Sequence, residues 1–349
     1  MKKLLMTTTA LIALGGVTSA LADLSISGNA RWTYTTWTDK TLDDAGSGAN
    51  NTSMGEVLQL WFNADETADS GMTYGAAARL RQVKDGFDRN WIYVGDDWGK
   101  VSLGRQFSPF TTGSLGANWR GTISGVQPGV GDVTGNAGLI TTSWVNPSGT
   151  APKFIYNSPN IAGITLGFSM ADGGTKVATA DDGTKSGGKA DSTAMRVNYS
   201  TDIMDGTGLT LGYATETTKA VDGAADSAKT DHSEVGAAVT SGDLTASVIQ
   251  LGKSQKPNVG ATTSDQKATE LEVAYAMSDA LTVNVIMLNS KENKGTKKGD
   301  KFSSTELGAK YTIAPGLTAN LIYTKASHTP NMGAKNTGNS TQLQMRVNF

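Results

Sequence analysis

The chain offers few side chains for acid–base or nucleophilic chemistry. His232 and His328 are its only histidines, and it has no cysteine. A catalytic triad needs a base within hydrogen-bond reach of a nucleophile and a third group that orients the base. Ser233 follows His232 directly, but adjacent residues of a strand point to opposite faces. Two histidines without a cysteine are also too few for a structural zinc site. We therefore predict that the protein is not an enzyme.

Two further segments match ligand-binding patterns only in part. The stretch "GTKSGGKA" at 183–190 is close to a phosphate-binding loop, but Ala190 stands where Ser or Thr would bind magnesium, and no helical pattern follows. Nearby aspartates could supply oxygen ligands for calcium, although their spacing matches no calcium-loop template; they are Asp172, Asp181, Asp182 and Asp191. We expect no cofactor, with loop-bound calcium as the one alternative.

A different chemistry is indicated by charged residues at alternate positions of apolar–polar segments. The basic ones are Arg31, Arg79, Arg81 and Arg346, and the acidic ones are Glu270, Glu272 and Glu306. Segments such as "LSISGNARWTY" and "TELEVAYA" confine their charges to one of the two alternating rows. In a β-strand these rows lie on opposite faces. Strands must therefore position the charges along one face of a sheet.

The same alternation recurs along the chain from residue 24 onward, and no comparable stretch has helical spacing. Runs of period two that are bounded by turn-forming residues are typical of strands. We predict an all-β protein with sixteen strands, at about residues 24–35, 56–64, 72–81, 89–96, 100–106, 152–158, 163–171, 192–200, 208–217, 233–240, 243–251, 268–276, 280–289, 304–312, 316–325 and 340–349.

The links between these strands alternate between short and long. Short ones, such as "SGD" and "IAPG", consist of turn-forming residues. Long ones include 36–55, 172–191 and 107–151. Such alternation is expected of an antiparallel meander in which one end is trimmed and the other carries loops. No linker interrupts the pattern, so we predict a single domain over residues 23–349.

The first 22 residues have the pattern of an export signal. Lys2 and Lys3 precede the apolar stretch 4–17, and Ala20-Leu21-Ala22 forms a small-residue cleavage site. We predict cleavage after residue 22, which removes two lysines and changes the net charge from −2 to −4. The chain lacks the basic stripe that is typical of nucleic-acid-binding proteins, so we expect no nucleic-acid partner.

The polarity of the two strand rows indicates a membrane barrel. In the clear strands the apolar row contains no charge. A soluble sandwich also separates its faces, but it leaves edge strands, whereas a closed barrel satisfies every backbone group in a bilayer. We predict a transmembrane antiparallel β-barrel whose apolar row faces lipid. Aromatic residues of that row mark its rims, with Tyr74, Tyr199, Tyr275, Tyr311 and Phe349 at one and Tyr34 and Tyr323 at the other.

The C-terminal segment "STQLQMRVNF" keeps the alternation to its last residue. Chain termini usually fray, so a terminal strand this regular needs neighbours. We predict that it pairs with the first strand and closes the barrel. Phe349 then faces lipid at the rim that carries the chain termini.

Several segments resemble those of Gram-negative general-diffusion porins, closest in style to the alphaproteobacterial type. They are "LSISGNARW", "WGKVSLGRQFSPF", "FIYNSPNIAGITLGFSM" and "MRVNF", and the resemblance covers the mature chain. It implies a homotrimer in the cell outer membrane, surrounded by lipid and lipopolysaccharide, with the third long loop folded into the lumen. It also implies that Phe349 belongs to the signal that the barrel assembly machinery recognises.

By the same resemblance, 107–151 is the constriction loop and the arginines form the wall that faces it. Family loops usually carry several acids, but this one offers only Asp132 together with Arg120. The sparse glutamates lie elsewhere in the barrel. The predicted pore-lining set is therefore Arg31, Arg79, Arg81, Arg346, Arg120, Asp132, Glu270, Glu272 and Glu306.

Two functions remain open from the sequence. The first is a water-filled porin for passive diffusion of ions and small hydrophilic solutes. The second is a substrate-selective channel with a solute-binding eyelet, for which Trp61 and Trp119 are the available aromatic residues. A saccharide channel would need a longer run of aromatic side chains. A surface adhesin is disfavoured because the chain has no passenger domain or long repeats.

Overall fold

A computed structural model describes residues 23–38, 52–82, 86–116, 138–172, 191–219, 229–256 and 263–349. The predicted signal peptide lies outside these ranges. The strands are β1 Asp23–Thr38, β2 Thr52–Thr67, β3 Thr73–Arg81, β4 Phe87–Asp96, β5 Gly99–Arg105, β6 Pro152–Asn157, β7 Ile164–Ala171, β8 Asp191–Met204, β9 Thr207–Lys219, β10 Lys229–Ser241, β11 Leu244–Lys256, β12 Ser264–Ala276, β13 Leu281–Glu292, β14 Lys301–Ala314, β15 Leu317–Thr329 and β16 Asn336–Asn348. A short helix, α1 Pro109–Thr112, follows β5. Among the described residues, no helix is long and apolar enough to cross a membrane.

All sixteen predicted strands are present, and each pairs antiparallel with its neighbours in a closed barrel. The prediction of fold class is confirmed. Several strands are longer than predicted at the end that carries the long links: β10 begins at Lys229 and β16 at Asn336. Polar residues there continue the backbone ladder beyond the amphipathic stretch, so hydrophobic alternation does not mark their start.

The last strand closes the barrel against the first, as predicted. Arg31 lies opposite Arg346, and Trp32 lies opposite Met345. The Gly28 N–H donates to the Phe349 carbonyl at 2.7 Å, and the Phe349 N–H donates to the Gly28 carbonyl at 3.1 Å. This exchange continues the ladder to the last residue and leaves the chain end paired.

The apolar rows face outward along the barrel, in agreement with the sequence analysis. Leu211, Leu271, Leu307 and Leu321 are about half exposed, as expected for side chains that contact lipid rather than a protein core. The predicted rim aromatics Tyr74, Tyr199, Tyr275, Tyr311, Tyr323 and Phe349 are exposed on the same surface. The outer surface is therefore an apolar band with aromatic residues near its edges.

The short links are tight turns at one end of the barrel. Asp205-Gly206 joins β8 to β9, and Gly242-Asp243 joins β10 to β11. The φ angles of Gly206 and Gly242 are +69° and +53°, a left-handed conformation that favours glycine. The longer links lie at the opposite end of the barrel.

The closure seam gives the first prediction. A Cβ at Gly28 would lie 2.5 Å from the Gln59 carbonyl and 2.9 Å from the Phe349 ring. We expect Gly28→Val to destabilise the barrel by about 1–3 kcal/mol through overpacking, measured as a lower melting temperature of the purified protein. Gly208→Val on β9 is the control, because the nearest atom to its Cβ lies 3.7 Å away. Equal melting temperatures for the two variants would contradict this account.

Candidate functional site

The link between β5 and β6 enters the barrel and contacts its interior wall. Helix α1 is held by side chains of β8. The Arg196 Nε donates to the Pro109 carbonyl at 2.9 Å, and its Nη2 donates to the Phe110 carbonyl at 2.6 Å. Asn198 Nδ2 donates to the Gly113 carbonyl at 3.2 Å. The last turn of a helix leaves carbonyls without intrahelical partners, and in this short helix the wall supplies donors to them.

Two buried glutamates of the wall bind the same segment from β9 and β10. Ser108 Oγ donates to Glu216 Oε2 at 2.6 Å, and Ser114 Oγ donates to Glu234 Oε2 at 2.6 Å. Glu234 Oε1 also lies 3.0 Å from the guanidinium of Arg196. Both carboxylates are almost inaccessible to solvent. A buried charge is tolerated when it is paired and hydrogen-bonded, as Glu234 is by Arg196 and Ser114. Together with the hydrogen bond between Ser108 and Glu216, these contacts hold the start of the loop.

The returning half of the loop is held by Lys153 at the start of β6. Its Nζ donates to the carbonyls of Gln106, Gly149 and Ala151 at 3.0, 2.9 and 3.1 Å. One ammonium group thus joins the two ends of the loop. Thr111 Oγ1 adds a hydrogen bond of 3.0 Å to the Val145 carbonyl, which ties α1 to the returning segment.

Apolar contacts also hold the loop against the wall. They show that apolar residues are not confined to the lipid-facing row. The inward row is not uniformly polar: Ile249, Leu251, Leu288 and Phe302 point inward and are buried. Leu115 and Ile140 of the loop pack on Ile249, Leu251 and Ala268, while Leu139 packs on Leu288, Phe302 and Ala326. Phe110 packs on Ala194 and Ala214. The loop shields these inward apolar residues from water, and this burial is favourable because it removes apolar surface from solvent.

The four predicted arginines lie on the inward row of β1, β3 and β16. Arg31 and Arg346 are direct register partners. Arg79 and Arg81 lie on β3, and both are within electrostatic range of Arg31. The structure thus brings together, on neighbouring strands, residues that are more than 300 positions apart in the chain.

Two members of this arginine cluster, Asp88 and Arg89, are not predicted from the sequence. On β4 the register places Arg89 opposite Arg79 and Phe87 opposite Leu80, so Asp88 is the extra residue of a β-bulge. A bulge interrupts the alternation of faces. Phe87 remains on the outer surface, whereas Asp88 and Arg89 both contact inward groups. A strict alternation of inward and outward residues cannot identify two adjacent residues that both face inward.

Asp88 is the acidic partner of the cluster. Arg79 binds it through both oxygens, with Nε donating to Oδ1 at 2.7 Å, and Arg81 Nε lies 3.1 Å from Oδ2. Arg89 stacks instead on Phe107, with its Cζ 3.4 Å from the ring centroid. Bidentate pairing and stacking both restrict a guanidinium to one orientation. The arginine cluster is thus ordered by one carboxylate and by the first residue of the loop.

The predicted acidic residues lie on β12 and β14, four and two strands away from the Arg346 strand β16 in the barrel order. Glu270 and Glu272 on β12 are buried on the inward face. Glu272 and Glu306 align at one level, because both are register partners of Ile286. Near them, Ala268 of β12 packs on Leu115 and Ile140 of the loop, and Phe302 of β14 packs on Leu139. In the arginine cluster, Arg89 stacks on Phe107 at the start of the loop.

Arg120, Asp132, Trp119, Asp181 and Asp182 lie outside the described residues. Elsewhere in the described ranges, no group of three or more His, Cys, Asp or Glu side chains could hold a metal.

The two histidines do not form a catalytic arrangement in the described part of the chain. The ring centroids of His232 and Phe110 are 6.2 Å apart, so His232 contacts the loop. His328 Nε2 lies 3.9 Å from Asp300 Oδ2, and neither of its ring nitrogens has a hydrogen-bond partner among the described residues. Neither histidine is hydrogen-bonded to a hydroxyl nucleophile there, and a triad requires that contact.

Residues 7–330 match the family model described as Gram-negative porin. The chain belongs to the Gram-negative porin family. It is an outer-membrane protein that forms a porin channel. No curated protein sequence matches this chain.

Solved porin structures share the fold at low sequence identity. The anion-selective porin from Comamonas acidovorans has a TM-score of 0.68 and 16% identity, with 94% of this chain and 100% of that chain covered. The trimer form of Vibrio cholerae OmpT has a TM-score of 0.68 and 14% identity, with the same coverage. A mutant of the Rh. blastica porin has a TM-score of 0.60 and 17% identity, also with 94% and 100% covered.

The anchoring of the loop gives the second prediction. Arg196→Met removes the donors to α1 and leaves Glu234 buried without its cation, which should cost about 3–5 kcal/mol. We expect a lower melting temperature, together with larger and noisier single-channel currents because α1 is no longer held to the wall. The matched control is the double variant Arg196→Met with Glu234→Gln, which should recover much of the stability but not the quiet currents. Unchanged currents in both variants would contradict this role of the wall.

Proposed function

We propose that this porin conducts ions and small hydrophilic solutes by passive diffusion, and that loop 107–151 narrows the lumen against the arginine cluster. One observation carries the proposal. The loop starts beside the cluster, where Phe107 stacks on Arg89, and is anchored from β8 to β15 on the covered wall. In this proposal, solutes pass through the part of the lumen between the anchored segment and the arginines.

We further propose that the channel favours small anions. The cluster holds five guanidinium groups, those of Arg31, Arg79, Arg81, Arg89 and Arg346, and Asp88 is paired to two of them, Arg79 and Arg81. Rings of one charge sign tune pore selectivity. Glu270 and Glu272 are almost inaccessible to solvent, whereas Arg31, Arg81 and Arg346 are partly exposed, so these two glutamates contribute less to the open passage. The similarity to an anion-selective porin in fold is consistent with this sign.

Arg31 and Arg346 provide the test of selectivity, because neither forms an ion pair among the described residues. We expect Arg31→Gln with Arg346→Gln to lower the anion-to-cation permeability ratio by roughly twofold or more. The reversal potential of reconstituted protein under a salt gradient measures this ratio. Lys291→Gln with Lys301→Gln is the control, since it removes the same charge from exposed residues on the outer surface. Equal reversal potentials for wild type and both variants would remove the arginine cluster from the selectivity filter.

A substrate-selective channel is the second candidate. Trp61 and Trp91 form an edge-to-face pair with ring centroids 5.8 Å apart, next to the arginines. Such a patch could stack on a planar or cyclic solute. However, the Cζ of Arg79 lies 5.2 Å from the Trp61 ring centroid, so the cluster already uses this aromatic face. Conductance that saturates with one added solute would favour the selective channel over passive diffusion.

Diffusion needs neither catalysis nor a cofactor, and we propose that this porin is not an enzyme. A calcium ion bound by Asp172, Asp181, Asp182 and Asp191, in and beside the link between β7 and β8, is the one cofactor retained as a proposal. We also propose a homotrimer. A groove of about 510 Å³ on the outer face of β1–β5 is lined by small and apolar residues, including Ala76 and Ala78, and a trimer form is known for the OmpT relative in fold.

The remaining proposed partners are the outer-membrane lipid, lipopolysaccharide and the barrel assembly machinery, with Phe349 as part of the assembly signal. Phe349→Ala separates recognition of this residue from its packing. We expect a severalfold lower yield of folded protein in the outer membrane of cells, but a near wild-type yield when the purified chain refolds in detergent. Leu343→Ala, which truncates another outward residue of β16, is the control. Equal losses in cells and in detergent would show that Phe349 acts through stability alone.

A further inference from the structure

Three lysines form a row across the outer surface of the barrel. Lys267 on β12 lies opposite Lys291 on β13, and Lys291 lies opposite Lys301 on β14. All three side chains are exposed. They belong to the outward row, because Leu271, Met287 and Leu307 lie an even number of residues further along the same strands. Like charges directly opposite each other destabilise a sheet. The lysine row is therefore expected to have negatively charged partners that offset this repulsion.

The described part of the protein supplies no carboxylate in an ion pair with these lysines. None of the ion pairs found there involves Lys267, Lys291 or Lys301. The three lysines and Lys335 line a groove of about 430 Å³, which we call the lysine groove. The other outward side chains that line it carry hydroxyl or amide groups and no carboxylate; they are Thr269, Asn289, Ser303, Ser327 and Thr329. The groove therefore offers cations and neutral hydrogen-bond donors to an anion.

The position of the groove restricts what that anion is. On the same outward rows, toward the short-turn end of the barrel, the polar residues give way to Leu271, Met287, Leu307 and Tyr323, which are all exposed. Lys267 and Leu271 are four residues apart, a distance of about 13 Å along a strand. A ligand that meets both surfaces carries negative charge at one end and hydrocarbon at the other.

We propose that the lysine groove binds the phosphate groups of an anionic membrane lipid in the leaflet at the long-link end of the barrel. The proposal rests on the membrane partners given under Proposed function and names the part of the surface that binds them. Lipid phosphates neutralise the lysine row, and the acyl chains of the same molecule lie along the apolar band. Basic residues at a membrane surface attract anionic lipids in this way.

A neighbouring row shows what makes the lysine groove distinct. Lys219, Lys229 and Lys256 are also in register, across β9, β10 and β11. There, however, Lys229 Nζ lies 3.0 Å from Asp231 Oδ1, and Asp191 lies opposite Lys219. Protein carboxylates already accompany that row. Lipid phosphate should consequently bind most tightly where the carboxylates are missing, at β12–β14.

The experiment measures lipid binding to the purified full-length mature protein in neutral detergent by native mass spectrometry. The probes are lipid A with two phosphates, the same glycolipid after phosphate removal, and inorganic phosphate as a competitor. The test variant replaces Lys267, Lys291 and Lys301 by Gln. The control variant replaces Lys100, Lys253 and Lys310 by Gln, which changes the formal charge equally away from the groove. A third variant replaces the three groove lysines by Arg.

We expect the test variant to bind the diphosphorylated lipid about tenfold or more weakly than wild type. The control and arginine variants should bind it like wild type, and the dephosphorylated lipid should bind weakly to all. Equal lipid binding by the test variant and wild type would overturn the proposal. Displacement of the lipid by millimolar inorganic phosphate would also overturn it, in favour of a site for free anions.

Channel conductance of the same samples separates this proposal from the proposed function. The lysine groove lies outside the lumen, so the test variant should keep the wild-type conductance and reversal potential. Loss of lipid binding with unchanged conductance supports the lysine groove. Absence of channels in wild type would count against the proposed diffusion function, while the lipid-binding comparison would stand on its own.

Discussion

The structure depends on one constraint: in hydrocarbon, every backbone N–H and C=O must find its partner within the protein. Sixteen strands meet this requirement only when the last pairs with the first, and the exchange between Gly28 and Phe349 completes that ladder. Closure also fixes the direction of every side chain, because alternate residues must point outward to lipid or inward to the lumen. The positions of charges, loop contacts and lipid contacts all follow from this alternation.

A closed barrel of this size has an interior that its own wall cannot fill. The link between β5 and β6 occupies part of it, at the expense of its conformational entropy. Burial of loop residues such as Leu139 on Leu288 and Phe302 offsets that loss, and the paired charges of Arg196 and Glu234 set the position of α1. Apolar burial supplies the driving force here, while the buried ion pair and its hydrogen bonds specify the geometry.

Most of the fold could be predicted from the sequence, because strands in a bilayer repeat one short-range pattern. The arginines on β1, β3 and β16 followed from that pattern as well. Asp88 and Arg89 did not, since a bulge depends on how β3 and β4 meet. The inward Ile249 was also unforeseen: its burial requires a loop residue, Leu115, that is more than 100 positions away. Long-range contacts of this kind leave no periodic trace in a single sequence.

The arginine cluster and the lysine groove pose the same physical problem on opposite sides of one wall. In each, cations outnumber the carboxylates within reach, so each surface carries a positive potential that counter-ions must relieve. Inside the barrel, water permits those anions to exchange, and a wall that attracts them without holding them favours their passage. Outside, hydrocarbon lies next to the lysines, so an anion attached to acyl chains remains in place. Cationic side chains therefore favour the passage of anions in the lumen and the binding of lipid on the outer surface. The difference arises because water lies next to the arginines and hydrocarbon lies next to the lysines.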